Sequence, residues 1–577
     1  MKRIFSTSEL RSTLTENYST ISSAFIFTVI GNILSLAPVG YMKDVYGPVL
    51  NSRSEHVLLM VTLLLIGFLL ISGFTEWVRF RLMQSVAVSF YEKMGIRVFQ
   101  ASYRNYLNTH SSASRLALQD LKTIRSFLTS PAMLALLDVP VSIFFIVLVY
   151  LIHPRMGVVT TCSVFLLLLI GYITELKVRP NVKNAQKANV QAQLYVADSA
   201  RNAQTIQTMG MINDVQSKWE KMQREHIYTM AEATKSQSFG AALSKLIMIG
   251  QGSVVIGVGC WLTLMGDLPG GGGAMIIASI IGGKAVQPLV MLITSWKTIV
   301  TAGDAYRRLD QFLIESPPQR KNMPLPAPQG VIHVESLSAS APGSKALILS
   351  NVTFSLKQGM CLAVMGPSGS GKSSLARMLV GVWPSLSGSI RLDDVDIYTW
   401  SKDELGVHLG YLPQDIELLE GSIAENICRF GELNLTEIQK AIDLVGLSEF
   451  IRTLPDKLDT QVGEDGAIFS GGQRQRLGLA RAIYGSPKFV VLDEPNANLD
   501  VEGNNALFDL LRHLKSLATT VVVVTHKKEI LKFSDRILVM KAGKPKIFGN
   551  RDQVLEKLAG KAADTNLNQH AAKMLTN

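Results

Sequence analysis

Six apolar segments, near residues 21–42, 56–75, 132–152, 156–175, 245–266 and 273–295, crowd the first half of this 577-residue chain. Each approaches the roughly 20 residues that a helix needs to cross about 30 Å of hydrocarbon. Backbone inside lipid must satisfy its own hydrogen bonds, so runs of this length fold there as helices. Buried helices of a soluble core explain one or two such runs, not six. Composition agrees: hydrophobic residues make up 47%, charged residues 18%, and the mean hydropathy is +0.23, more apolar than an ordinary soluble enzyme. The length predicts two to four folding units.

Connections after the first, third and fifth segments are short, whereas those after the second and fourth run for dozens of helix-favouring residues. The long connections hold the basic residues: Arg79, Arg81, Lys93, Arg97, Arg104, Arg115, Lys122 and Arg125 in one, Lys177, Arg179, Lys183, Lys187, Arg201, Lys218 and Arg224 in the other. A net charge of +11 placed this way points to a membrane flank, not to nucleic acid. The excess of Lys and Arg predicts a cytoplasmic location for both, and for the N-terminus with Lys2, Arg3 and Arg11; Gly266–Gly273 then faces outward. Each long connection reads as two membrane helices continued past the bilayer, turning at Asn108–Ser114 and at Thr208–Met211, tips suited to docking on a soluble domain. The polar stretch Met1–Thr20 carries no small-residue cleavage pattern, which predicts no removable signal peptide. Four cysteines, Cys162, Cys260, Cys361 and Cys428, without C-x-x-C spacing, predict neither a disulfide framework nor a zinc site.

Two ionisable residues lie inside the apolar segments: Asp138, ahead of Pro140, and Lys284, in Gly282-Gly283-Lys284-Ala285. Charge within a membrane usually faces a bundle interior or a watery path. Both residues are candidates for lining a conduit, or for reaching interfacial water near a span end.

Composition changes abruptly at 316–330, where Pro317, Pro318, Pro324, Pro326 and Pro328 make a stiff polar linker between a membrane domain over 1–315 and a second domain over 331–560, with a polar tail at 561–577. Short β-branched runs at 351–357, 360–365, 408–412, 488–492 and 520–524 alternate with helical stretches, the pattern of an α/β fold with a largely parallel sheet. Between a strand-like run and a helix-like one sits Gly366-Pro367-Ser368-Gly369-Ser370-Gly371-Lys372-Ser373, followed by Ser374. Its glycines let successive N–H groups face a polyphosphate, Lys372 reaches the β and γ phosphates, and Ser373 suits Mg²⁺. Phe489–Leu492 is a buried strand ending in Asp493 and Glu494: Asp493 suits Mg²⁺, and Glu494 is placed to orient and activate an attacking water, or the two cap the next helix. Ser470-Gly471-Gly472-Gln473 opens a helix with a second anion-binding turn.

These motifs, with Gln414 in Gly410–Gln414, Asn498-Leu499-Asp500 and Thr525-His526, follow in the order of an ATP-binding-cassette ATPase, which the second domain closely resembles. The resemblance implies ATP and Mg²⁺ as cofactors, an all-α six-helix transmembrane exporter domain with long cytoplasmic helical extensions, and an α/β phosphate-loop ATPase domain behind it. It implies a homodimer in which each ATP lies between one copy's phosphate loop and the other's Ser470–Gln473 turn. Gln414 would then join Ser373 and Asp493 around Mg²⁺, sense the γ phosphate and signal to the membrane part; His526 would contact the γ phosphate; Asp500 would cross the interface. Ser338–Gly343 departs from the family in lacking the aromatic that stacks on adenine.

Leu36–Pro38, Tyr41–Leu50, Leu137–Pro140, His153-Pro154, Met209–Met211 and Gly283–Pro288 are further similar to type I secretion permease/ATPases, the protease-exporting branch. That resemblance implies a multi-pass protein of the bacterial inner membrane, among lipids, exporting an unfolded polypeptide with a carboxy-terminal signal. A periplasmic adaptor (membrane fusion) protein and an outer-membrane channel would complete the path in a host with two membranes. With the first span starting near residue 21 there is no room for the amino-terminal peptidase or peptidase-like domain of other type I exporters. Export of a lipid, glycan or small amphiphile is the alternative within this architecture; a regulatory ATPase without cargo would not need the full hydrolytic set.

Overall fold

Helices carry the whole first half of the chain in the computed structural model, which describes residues 8–558 apart from 53, 110–112, 269–270, 319–322, 345, 464–465 and 467. Parts of the first tip, the outward glycine-rich connection and the linker, and all of the 561–577 tail, lie outside the described residues. Glu9–Glu16 (α1) leads into Tyr18–Leu34 (α2) and Ala37–Asp44 (α3). The span predicted over 21–42 falls within Tyr18–Asp44, with a turn at Ser35 and Leu36 inside it. Pro38 has no N–H and its ring clashes with the carbonyl four residues back, so it opens a new helix in its first turn instead of continuing the old one.

Then follow Glu55–Thr109 (α4), Ala113–Leu128 (α5), Pro131–Ile152 (α6), Pro154–Arg201 (α7), Ile212–Leu264 (α8), Gly271–Thr294 (α9) and Trp296–Glu315 (α10). Among the described residues six helical stretches are long and apolar enough to cross a membrane. The helices α4, α7 and α8 contain 55, 48 and 53 residues, so they run about 70–80 Å, more than twice the hydrocarbon thickness. Along α4, Leu58, Leu59, Leu63, Leu64 and Leu70 are all exposed, a surface that water would not tolerate and acyl chains would cover. The second tip turns at Met209 and Gly210, where Gly210 takes φ +67° before α8 begins.

Where three helices meet, the intramembrane Asp138 is engaged through one carboxylate oxygen. Its Oδ1 accepts from Arg79 Nη1 at 2.7 Å and from Asn32 Nδ2 at 2.9 Å, while Arg79 Nη2 donates to Glu76 at 2.8 Å. The side chains of Arg79 and Asp138 are 8% and 18% exposed. One carboxylate thus pins α2, α4 and α6 together.

The chain divides into two compact units, Met1–Asn105 with Ser111–Pro318, and Tyr106–His110 with Gln319–Asn577. In the second, Ile332–Ser340 (β1), Leu347–Leu356 (β2), Ser387–Leu392 (β4) and Val395–Asp396 (β5) form an antiparallel sheet in the order β2-β1-β4-β5. Cys361–Met365 (β3), Leu409–Leu412 (β6), Phe489–Asp493 (β7), Thr520–Val524 (β8), Arg536–Lys541 (β9) and Lys544–Asn550 (β10) form the other, ordered β10-β9-β3-β8-β7-β6 and parallel except for its β10 edge. The run at 351–357 therefore belongs to β2 of the antiparallel sheet, not to the parallel one. The two kinds of strand differ in burial: β7 and β8 are buried at every residue, whereas β1 alternates, as sheets covered on two faces and on one face do. Lys372–Leu379 (α11), Gly471–Ile483 (α12) and Val501–Ser516 (α13) surround the parallel sheet.

Breaking one side of a buried ion pair strands the other charge, at a cost of about 3–5 kcal/mol. Asp138→Ala should therefore lower the thermal unfolding midpoint in detergent sharply, and the double variant R79M/D138L should recover most of the loss. Equal midpoints for wild type and D138A would deny the network this role.

Candidate functional site

Strand β3 delivers the chain to the phosphate loop, and the loop's geometry admits only glycine at its first position. Gly366 takes φ +154°; a Cβ there would collide with the Met540 carbonyl oxygen and lie 2.7 Å from Ser370 Oγ. Gly371, at φ +93°, caps α11 in the left-handed region, and a Cβ on it would meet Leu349 Cδ2 at 2.7 Å. The peptide N–H groups at the start of α11 add their dipole to this concavity. Lys372 Nζ sits inside it, donating to the carbonyls of Gly366 at 2.9 Å and Pro367 at 3.0 Å. Burial pulls its ammonium below the ordinary lysine range, against the opposing pull of Glu494 and Asp493.

Asp493 and Glu494 end the fully buried β7, yet the two carboxylates sit differently. Asp493 is 1% exposed. Burial raises its pKa above the usual aspartate value, a hydrogen bond from Ser373 lowers it, and Glu494 raises it again. Its Oδ1 has no hydrogen-bond partner, and Ser373 Oγ also lies 3.4 Å from Gln414 Oε1. An orphaned buried carboxylate oxygen beside a hydroxyl and an amide oxygen is a donor set that fits a hard divalent cation. Among the described residues no group of three or more His, Cys, Asp and Glu side chains is placed to hold a metal. Mg²⁺ is usually held by one or two carboxylates together with substrate phosphates.

Glu494 takes φ +51°, a conformation that side-chain-bearing residues seldom adopt. Three contacts hold it there: its N–H donates to Val524 O at 2.9 Å, its carbonyl accepts from Gln475 Nε2 at 3.2 Å, and its Oε1 lies 2.8 Å from His526 Nε2. The turn in backbone direction separates its carboxylate from that of Asp493.

Ser470 caps α12 in a reciprocal box, its hydroxyl accepting from Gln473 N–H at 3.3 Å and Gln473 Oε1 accepting from Ser470 N–H at 2.9 Å. Gly472 packs tightly, since a Cβ on it would lie 3.0 Å from Asn498 O. Asp500 caps α13 through Gly503 N–H at 2.8 Å and pairs with Arg476 at 3.3 Å. Among the described residues no hydrogen bond or ion pair joins Ser470–Gln473 to the phosphate loop of the same chain. Two participants escaped the sequence: Gln475, wholly buried and bonded to Glu494 and Asn498, and Arg377, whose charge acts on Asp493 and whose guanidinium bonds Tyr411. Gln475 is legible only as a polar residue on the buried side of α12; Arg377 belongs to no motif.

Residues 349–497 match the family model for ABC transporters, and residues 21–282 match that for the ABC transporter transmembrane region. A curated relative, the type I secretion system ATP-binding protein PrsD of Rhizobium meliloti (strain 1021), is 35% identical over 91% of this chain and 90% of its own length. The leukotoxin translocation ATP-binding protein LktB of Mannheimia glucosida is 26% identical over 93% of this chain and 76% of its own. Among solved structures, a bacterial Atm1-family ABC exporter with ATP bound superposes with a TM-score of 0.82 at 20% identity, covering 96% of this chain and 98% of that one. This last likeness concerns the fold.

A methyl group at Gly366 would displace the loop or the Met540 carbonyl. Gly366→Ala should weaken nucleotide binding at least about tenfold, measured by fluorescent-nucleotide titration. Wild-type affinity in that variant would contradict the geometry described.

Proposed function

The chain belongs to the ABC transporter family and couples ATP hydrolysis to transport, and from that premise we propose that it exports unfolded polypeptides bearing a carboxy-terminal signal, as a homodimer in the bacterial inner membrane. The observation that carries the cargo class is the 35% identity to a type I secretion protein across nine-tenths of both chains. An adaptor and an outer-membrane channel extend the path where the host has two membranes. The basic flanks at the ends of the long helices support a cytoplasmic N-terminus and ATPase domain. We assign residues 1–315 to the membrane domain and 331–560 to the nucleotide-binding domain, with 316–330 as linker.

The phosphate loop, Gly366–Ser373 with Ser374, holds the triphosphate of ATP, with Lys372 moving from the loop carbonyls to the β and γ phosphates. Ser373, Gln414 and Asp493 would hold Mg²⁺, which when bound would supply the positive charge that offsets that of the phosphates. Glu494 accepts a proton from the attacking water as the bond between the γ phosphorus and the β–γ bridging oxygen breaks, releasing ADP and phosphate. His526, 2.8 Å from Glu494, fixes the carboxylate and lies beside the γ phosphate. Gln414 and Asp500 relay the state of the site. The turn Ser470–Gln473, with its capped helix N-terminus, has an anion-binding geometry suited to closing over the ATP of a second copy.

Removing the base while keeping the fold isolates this chemistry. Glu494→Gln should bind ATP normally and hydrolyse it about 10²–10⁴-fold more slowly. Inside-out proteoliposomes should take up an unfolded polypeptide with the carboxy-terminal segment of a type I cargo only with ATP, and not at all in the E494Q variant. Uptake of a lipid or small amphiphile, with no polypeptide uptake, would transfer the assignment to that alternative cargo; undiminished hydrolysis in E494Q would remove Glu494 from its role.

A further inference from the structure

The two charges within the membrane spans have opposite fates. Asp138 is matched by Arg79 and Asn32. Lys284, thirteen residues into the 24-residue α9 and so close to the bilayer midplane, has no ion pair or side-chain hydrogen bond among the described residues. Among the described residues no carboxylate forms an ion pair with it; Glu175 pairs with Arg179 four residues on, and Lys245 carries the same sign. An uncompensated ammonium at that depth is costly unless water or an anion meets it.

The helix around Lys284 has two unlike sides. Gly282 packs inward: a Cβ there would overlap Gln251 Nε2 and lie 3.1 Å from Thr160 Oγ1, so α7, α8 and α9 close tightly on that side. Two residues on, about 200° around the helix, Lys284 is only partly buried, and its neighbour Gln287 is exposed. A Cβ on Gly283 would meet nothing within 4 Å. Pro288, inside α9, has no N–H to give the carbonyl of Lys284 four residues back. One open spot at mid-membrane therefore presents a cationic donor and a backbone acceptor left without its helical partner.

We propose that Lys284 is an anion site on the export path, receiving side-chain and terminal carboxylates of the passing polypeptide, with its own carbonyl accepting a peptide N–H. The proposal rests on the polypeptide reading above. A peptide segment carrying Asp, Glu or a free carboxy terminus offers both complementary groups, which a lipid tail or a cationic drug does not. The contact is a transient relay, as a path for a moving chain requires. Asp138 forms part of the wall, its charge neutralised by Arg79.

The test uses the full chain in proteoliposomes, with Cys162→Ser and Cys260→Ser replacing the two exposed cysteines and Gln287→Cys added one helical turn from Lys284. The other two cysteines, Cys361 and Cys428, are buried, and burial pushes the Cys361 thiol up to about 12, so both stay silent. Labelling rates are compared for an anionic methanethiosulfonate (the ethylsulfonate) and a cationic one (the ethyltrimethylammonium) in each nucleotide state. The anionic reagent should be favoured, and Lys284→Met should lower the anionic-to-cationic ratio about tenfold or more. Lys284→Arg should preserve the preference and Lys284→Glu reverse it, so misfolding of one variant does not decide the matter. Poly-L-glutamate should slow anionic labelling in the Lys284 protein and not in K284M, whereas poly-L-lysine should not.

No labelling at position 287 in any state, or a ratio unchanged in K284M, overturns the anion site and leaves polypeptide export standing. A charge preference blocked by decanoate but not by polyglutamate overturns the carboxylate relay together with the polypeptide reading.

Discussion

The hydrolytic half of the molecule depends on where β7 stops. Every residue of that strand is buried, so the sheet can place two carboxylates at its end only if one is held inside and the other turned out. Asp493 stays in, bonded to Ser373 and with its Oδ1 unpartnered. Glu494 is turned by a left-handed backbone that its bonds to Val524, Gln475 and His526 over-determine. Two adjacent carboxylates thereby acquire different chemistry, one suited to a cation and one to a proton.

The membrane half is organised by the cost of charge. Pairing Asp138 with Arg79 across α4 and α6, with Asn32 from α2, converts an expensive carboxylate into a joint among three helices. Lys284 has no such partner among the described residues and lies on the open side of α9. The contrast separates a charge used for assembly from the one proposed to meet a passing chain.

Much of this was legible in the residues because the relevant physics is local. Span length follows from bilayer thickness, and the phosphate loop, Asp493, Glu494 and the Ser470–Gln473 turn announce themselves by spacing. What escaped depends on tertiary neighbours. Pro38 stands inside the first span in the sequence, but the turn at Ser35 and Leu36 that it accompanies is seen only in the fold. The run at 351–357 resembles a parallel strand until its hairpin with β1 is seen. Asp138 carries no sign of Arg79, which stands 59 residues earlier among the basic residues of a span flank, and Arg377 and Gln475 acquire meaning only beside Asp493 and Glu494.

The claim at the centre of this account is that hydrolysis at Glu494 answers to a polypeptide. The direct measurement is steady-state ATPase activity of the reconstituted protein, titrated with unfolded polypeptides that differ only in their carboxy-terminal segments, and in parallel with lipids and small amphiphiles. The account predicts a saturable change in rate that requires one particular free carboxy-terminal segment and disappears when that end is blocked. A response to lipids or amphiphiles alone would contradict it.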